Sequence, residues 1–211
     1  MLFNKLTAFG IGGDAGQPVR EHLRATDIGE PVSSGGWRAE TCKTPPRSVA
    51  FALHNGESDA AQIIEYLGRF ALEYGKSPCV IRFARCLIGG ITENNAVGHQ
   101  FDIVGNFVLD HVTYVADPRG AEYVRSPLRL IKEYQCRGYG QGDCDDMTLF
   151  AASLLNALGF PVKIVAVKIN GSSNYNHVLL QAMVAGEWKW FDGCNKDNPS
   201  KAWTDFISYQ L

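Results

Sequence analysis

Apolar positions change period once along the chain. From Ser58, the residues Ile63, Ile64, Leu67, Phe70, Ala71 and Tyr74 recur at three- and four-residue steps, the mark of one buried helix face, and Gly75 is placed to stop the helix. A second helix is predicted over 78–88, opened by Pro78. A third runs through Phe101, Val104, Phe107, Val108, Val112 and Val115 and stops before Asp117-Pro118, because the residue ahead of a proline is pushed out of the helical region. Ser126-Pro127 supplies a cap and a first-turn proline for a short helix at LRLIKEY. Within 144–158, Met147, Phe150, Ala151, Leu154, Leu155 and Leu158 form one stripe that Gly159 and Pro161 end.

Beyond that stripe, VKIVAVKI (162–169) is β-branched and nearly all apolar, as expected of a strand covered on both faces. His177 opens a second strand, HVLLQAMV, and Ala185-Gly186 turns it into EWKWFD. Helices followed by an antiparallel sheet make an α+β domain. Residues 1–56 hold turn formers (GIGGDAGQP, SSGGW, TPPR) without a long apolar period, so they are expected to be an irregular N-terminal extension to a domain over 57–211. GIGGDAG has its third glycine misplaced for a dinucleotide fingerprint, and no convincing strand precedes it.

With 211 residues, 45% of them hydrophobic, the chain can bury a core without staples. A formal charge of -2 gives no basic field for nucleic acid or an anionic membrane, so proteins, peptides or small molecules are the expected partners. No stretch approaches the roughly 20 apolar residues that cross a bilayer, and MLFNKLTAFGIGGDAG is not a cleaved signal, so a soluble cytoplasmic protein is expected. In that setting the six scattered cysteines are expected as thiols.

Cys144 falls in the first turn of the fifth helical segment, where unpaired N–H groups and the helix dipole favour a thiolate. Asp143, Asp145 and Asp146 would oppose that charge, unless they point outward and an imidazolium faces the sulfur. Of five histidines, His177 is best placed, at a strand start after the polar loop GSSNYN. His22, His54, His99 and His111 read as solvated or packing residues. Asp192 ends the next strand, where a tight hairpin would set it beside His177 as the group that holds the imidazole tautomer.

The order Cys144, His177, Asp192 on these elements resembles the transglutaminase-like superfamily of papain-type folds, in its bacterial and phage-borne branch. The likeness is carried by GQGDCDDMTLFAASLLNALGFPVKIV, by the strand-opening His177 and by WFD, with support from DHVTYVADPRGAEYVRSPLRL upstream, and spans roughly 58–195. It implies a nucleophilic Cys144 at a helix N-terminus, packed on an antiparallel sheet that carries His177 as general base and acid and Asp192 as orienter. The implied activity is that of a thiol hydrolase, cysteine protease or amidase, or a transglutaminase-like acyltransferase, acting on a protein or peptide without a cofactor. Virion or assembly partners, and a virion-associated location, belong to the phage-borne branch. Two positions depart from the family: Leu179 stands where an aromatic residue is often found, and Asp192-Gly193-Cys194 replaces a DPT-like ending.

The Cys144 N–H is the natural first donor to an oxyanion, with Gln141 or Tyr139 as second. A non-catalytic assembly protein that uses the fold for binding is the competing reading. A metal centre from Cys144, His177, Cys194 and an aspartate matches no recognised zinc spacing, so no metal is expected.

Overall fold

The computed structural model describes residues 48–52, 57–89, 96–118, 121–195 and 203–211. Among them the order is β1 (Ser48–Ala52), α1 (Glu57–Gly75), α2 (Pro78–Leu87), α3 (Ala96–His111), β2 (Val112–Tyr114), β3 (Ala121–Arg125), α4 (Pro127–Arg137), β4 (Gly140–Gly142), α5 (Cys144–Ala157), β5 (Val162–Ile169), β6 (His177–Val184), β7 (Glu187–Phe191) and β8 (Trp203–Gln210). The chain is therefore α+β. None of these helices is long and apolar enough to cross a membrane.

α5 is the centre of the molecule. Every residue from Asp145 to Leu155 is buried, and Leu149, Leu154 and Leu155 are at most 1% exposed. Around it pack the apolar stripes of α1 (Ile64, Leu67, Ala71) and α2 (Val80, Phe83, Ala84), with Val104 and Val108 of α3 and Leu130 and Ile131 of α4. Each fully buried leucine there contributes about 2 kcal/mol by leaving water. Ser126 caps α4 as expected, its hydroxyl accepting from the Arg129 N–H at 3.3 Å.

A four-stranded antiparallel sheet, ordered β7-β6-β5-β8, closes the other side. One face of it, with Ile164, Ala166, Leu180 and Ala182, joins the helical core. On the opposite face Val165, Val167 and Leu179 are buried under Trp190, Trp203 and Phe206. That two-sided burial is why 162–169 alternates so little. Ala185 (φ 52) and Gly186 (φ 90) both take the left-handed backbone of a two-residue hairpin turn, which sets Met183 against Trp188 and Leu180 against Phe191.

One helix end and five strands, β1 to β4 and β8, differ from the sequence reading. The third helix ends at His111, and Val112–Tyr114 pairs in parallel with Gly140–Gly142. Val112 and Thr113 are β-branched, and local periodicity cannot register a strand partner that lies beyond α4. Ser48–Ala52, within the span expected to be irregular, is a strand paired antiparallel with β3. The remainder of that span, 1–47 and 53–56, lies outside the described residues. β8 was not anticipated; Tyr209, opposite Ile164, packs on the core so closely that a Cβ at Gly68 of α1 would stand 2.3 Å from its ring. Finally, Cys86, Cys136, Cys144 and Cys194 are free thiols, but Cys79 is disulfide-bonded, so the all-thiol expectation fails there.

Candidate active site

Cys144 is the first residue of α5, and its position is fixed by the residues on either side. Asp143 caps the helix by accepting from the Asp146 N–H, while the Asp146 carboxylate accepts from the Asp143 N–H at 3.3 Å, a reciprocal capping box. Asp146 also accepts from the Arg125 backbone N–H and from its guanidinium, each at 2.5 Å. Arg125 lies 3.7 Å from Asp117 as well, and Asp117 accepts from the Tyr123 N–H, so the β2–β3 connection is tied to the start of α5. A Cβ at Gly142 would stand 2.5 Å from the Asp146 Cβ, so this approach requires glycine.

The acids do not point outward. Asp143, Asp145 and Asp146 are 5%, 2% and 0% exposed. The partly buried Cys144 thiol lies 3.5 Å from Asp145 Oδ1, to which it donates. Burial pushes the Cys144 thiol well up, Asp145, Asp143 and Cys194 push it further, and a hydrogen bond from the Val178 N–H pulls the other way. The helix-dipole benefit anticipated from the sequence is therefore outweighed, and the resting group is a thiol. Burial also lifts Asp146 to about 6, against the pull of its Arg125 and Asp143 donors. Burial works against the Arg125 charge, yet Asp146, Asp117 and Asp143 raise its pKa. The two shifts pull the pair in opposite senses; the pair is ionised at neutral pH, and the wholly buried carboxylate bears most of the desolvation.

His177 begins β6, opposite Val167, and Asn176 beside it is held by Val167 O (3.1 Å) and, through its side chain, by the Ile169 N–H (2.9 Å). Its Nε2 lies 2.9 Å from Asp192 Oδ2, and the other oxygen of Asp192 accepts from the Cys194 N–H at 2.9 Å. Asp192 is 5% exposed. The structure thus sets His177 and Asp192 alongside each other, as the hairpin register implied. Gly193 passes so close to α5 that a Cβ there would lie 2.7 Å from the Met147 Cβ.

One contact was missed in the sequence. Thr148, one helical turn past Cys144 and wholly buried, donates through Oγ1 to Val178 O at 3.1 Å. The Val178 N–H in turn acts on the Cys144 thiol, lowering its pKa. The residue after His177 thus faces positions i and i+4 of one α5 face. A buried hydroxyl inside an apolar stripe was the available signal.

The other candidates play packing or turn roles. His111 Nδ1 lies 3.2 Å from Gly138 O, with its ring among Phe107 and Tyr134, and His99 is exposed. His22 and His54 are outside the described residues. The Gln141 N–H donates to Glu133 at 3.2 Å, and Tyr139 is exposed beneath Arg137.

No protein-family model matches the chain, and no curated protein matches its sequence. Among solved structures, the chain is similar to a candidate cysteine protease from Cytophaga hutchinsonii, with a TM-score of 0.47 and 16% identity, over 78% of this chain and 58% of that one. It is also similar to a candidate protease from Parabacteroides distasonis, with a TM-score of 0.46 and 14% identity, over 64% of this chain and 26% of that one. The chain thus spans just over half of the first of these proteins and about a quarter of the second.

Proposed function

We propose that the chain is a cysteine-dependent acyl-transfer enzyme, in which Cys144 is the nucleophile, His177 the general base and acid, and Asp192 the group that orients His177. The observation that carries this reading is Val178, whose carbonyl accepts from Thr148 and whose N–H lowers the pKa of the Cys144 thiol, because it brings the start of α5 against the strand that begins with His177 and its Asp192 partner. With Nε2 engaged by Asp192, Nδ1 is the nitrogen left to take a proton.

Because the resting thiol is protonated, attack begins with transfer of the Cys144 proton to His177 as Sγ bonds the acyl carbon. The oxyanion forms at the N-terminus of α5, where the Cys144 N–H is a donor in a class worth on the order of 3 kcal/mol. Collapse breaks the bond to the leaving amine or alcohol, which departs with the proton from His177. Water, or a second amine, then releases the acyl group from the thioester. A protein or peptide is the substrate class proposed.

The raised Cys144 thiol favours a second reading, a binding protein that keeps this fold without turnover. Intact-mass spectrometry after incubation with a panel of activated peptide esters separates the two. The enzyme reading expects an acyl adduct on Cys144 that is absent from Cys144→Ala and accumulates far more slowly in His177→Ala. A folded wild type that forms no adduct with any ester, at any pH between 6 and about 9, leaves the binding reading.

A further inference from the structure

We propose that His177, Asp192 and Cys194 together form a site for one divalent cation of the Zn2+ class. One ligand atom from each, an imidazole nitrogen, a carboxylate oxygen and the thiol sulfur, all lie within 4.8 Å of one another among the described residues. Around a tetrahedral zinc, bonds of about 2.0–2.3 Å place ligands roughly 3.5 Å apart, so closure by about 1 Å completes three corners. The mixed nitrogen, sulfur and oxygen donors select a borderline cation over Mg2+ or Ca2+, which take oxygen alone.

The hairpin supplies the preorganisation. Asp192 Oδ1 is committed to the Cys194 N–H, which folds Cys194 back over the carboxylate, and the second oxygen faces His177. Gly193, against Met147, leaves that turn no side chain of its own to place. The surroundings also carry negative charge: beside Asp192, the buried carboxylates of Asp143 and Asp145 act on Cys194. A divalent cation reverses that field and turns the same carboxylates into an advantage.

On binding, Cys194 releases its proton to solvent, His177 shifts its remaining proton to Nδ1, and the His177–Asp192 hydrogen bond is replaced by bonds to the metal. The cation therefore occupies the pair proposed above for proton transfer and inhibits turnover. This inhibitory consequence rests on the acyl-transfer reading; occupancy of the site does not.

The test is titration of the full chain with Co2+ under reducing conditions, followed by absorption spectroscopy, with circular dichroism to confirm that each variant is folded. Wild type is expected to bind one Co2+ with a thiolate-to-metal charge-transfer band and the intense visible bands of a tetrahedral site. Cys194→Ser should lose the charge-transfer band, and His177→Ala should weaken binding by at least about tenfold. Cys144→Ser and the Cys86→Ser, Cys136→Ser double variant should keep the band. A folded wild type without it, a band that survives in Cys194→Ser, or one lost from Cys144→Ser or the double variant overturns the proposed ligand set. Co2+ binding by a chain that, free of metal, forms no acyl-enzyme would sink the enzymatic reading and leave the metal site standing.

Discussion

At the α5 end of the site, the groups around Cys144 are mostly its own sequence neighbours: Asp143 and Asp146 cap each other, and Asp145 receives the thiol. From farther along the chain, Arg125 reaches this end and binds Asp146. At the sheet end the key contact is not local. His177 meets Asp192 only because the β6–β7 hairpin holds its register, and Cys144 meets that strand only at Val178. The helix end is thus electrostatically hostile to a thiolate, while the sheet end carries the imidazole proposed as base. The acyl-transfer reading needs both ends, and so rests on the seam between them.

The largest expected effect comes from removing either side. If acyl-enzyme formation is established, Cys144→Ala and His177→Ala each lower kcat/KM by on the order of 10⁴ or more, and the double variant is hardly worse than either. Additive losses in kinetics of the three variants would break the comparison, since they would mean that the two ends act independently.

A change in pH tests the helix end through Asp146. Asp146 has a folded-state pKa of about 6, above the ~3.9 of an unfolded aspartate, so its stabilising contribution is complete below pH ~4 and is lost as pH rises through about 6. The difference is roughly 3 kcal/mol. Denaturant unfolding from pH 4 to 7 should show this decline in wild type and not in Asp146→Asn. An equal slope in both would place the titration elsewhere.

Two smaller effects probe the seam. Gly193→Ala puts a methyl group 2.7 Å from the Met147 Cβ and should cost about 2 kcal/mol in urea unfolding while also lowering kcat, because it moves the Asp192 turn off α5. Thr148→Val keeps the shape and removes the donor to Val178 O, for about 1 kcal/mol. Its loss of kcat should exceed that of Ser153→Ala, a buried hydroxyl on the same helix that bonds Leu149 O and lies off the seam.

Much of this was legible beforehand. Helices α1, α2, α4 and α5 and strands β5 to β7 follow from apolar period and from caps such as Ser126 and Gly159, because those signals act over one or two turns. β1 to β4 were not, since strands of three or five residues have no period to read and exist through partners elsewhere in the chain. The three site residues stood out as residue types at element ends. The inward set of the acids did not, because a carboxylate is buried only where donors meet it, and Asp146 meets Arg125 from another element.

The sequence by itself determined that a cysteine would open a buried helix and that a histidine and an aspartate would lie across a two-residue hairpin. Those outcomes need only capping, periodicity and strand alternation. Tertiary structure alone decided that α5 grips the Val178 peptide, that the thiol rests protonated among buried acids, and that Cys194 turns back onto His177 and Asp192. Contacts between distant segments and the loss of water around a charge depend on the assembled core, and no stretch of chain carries them on its own.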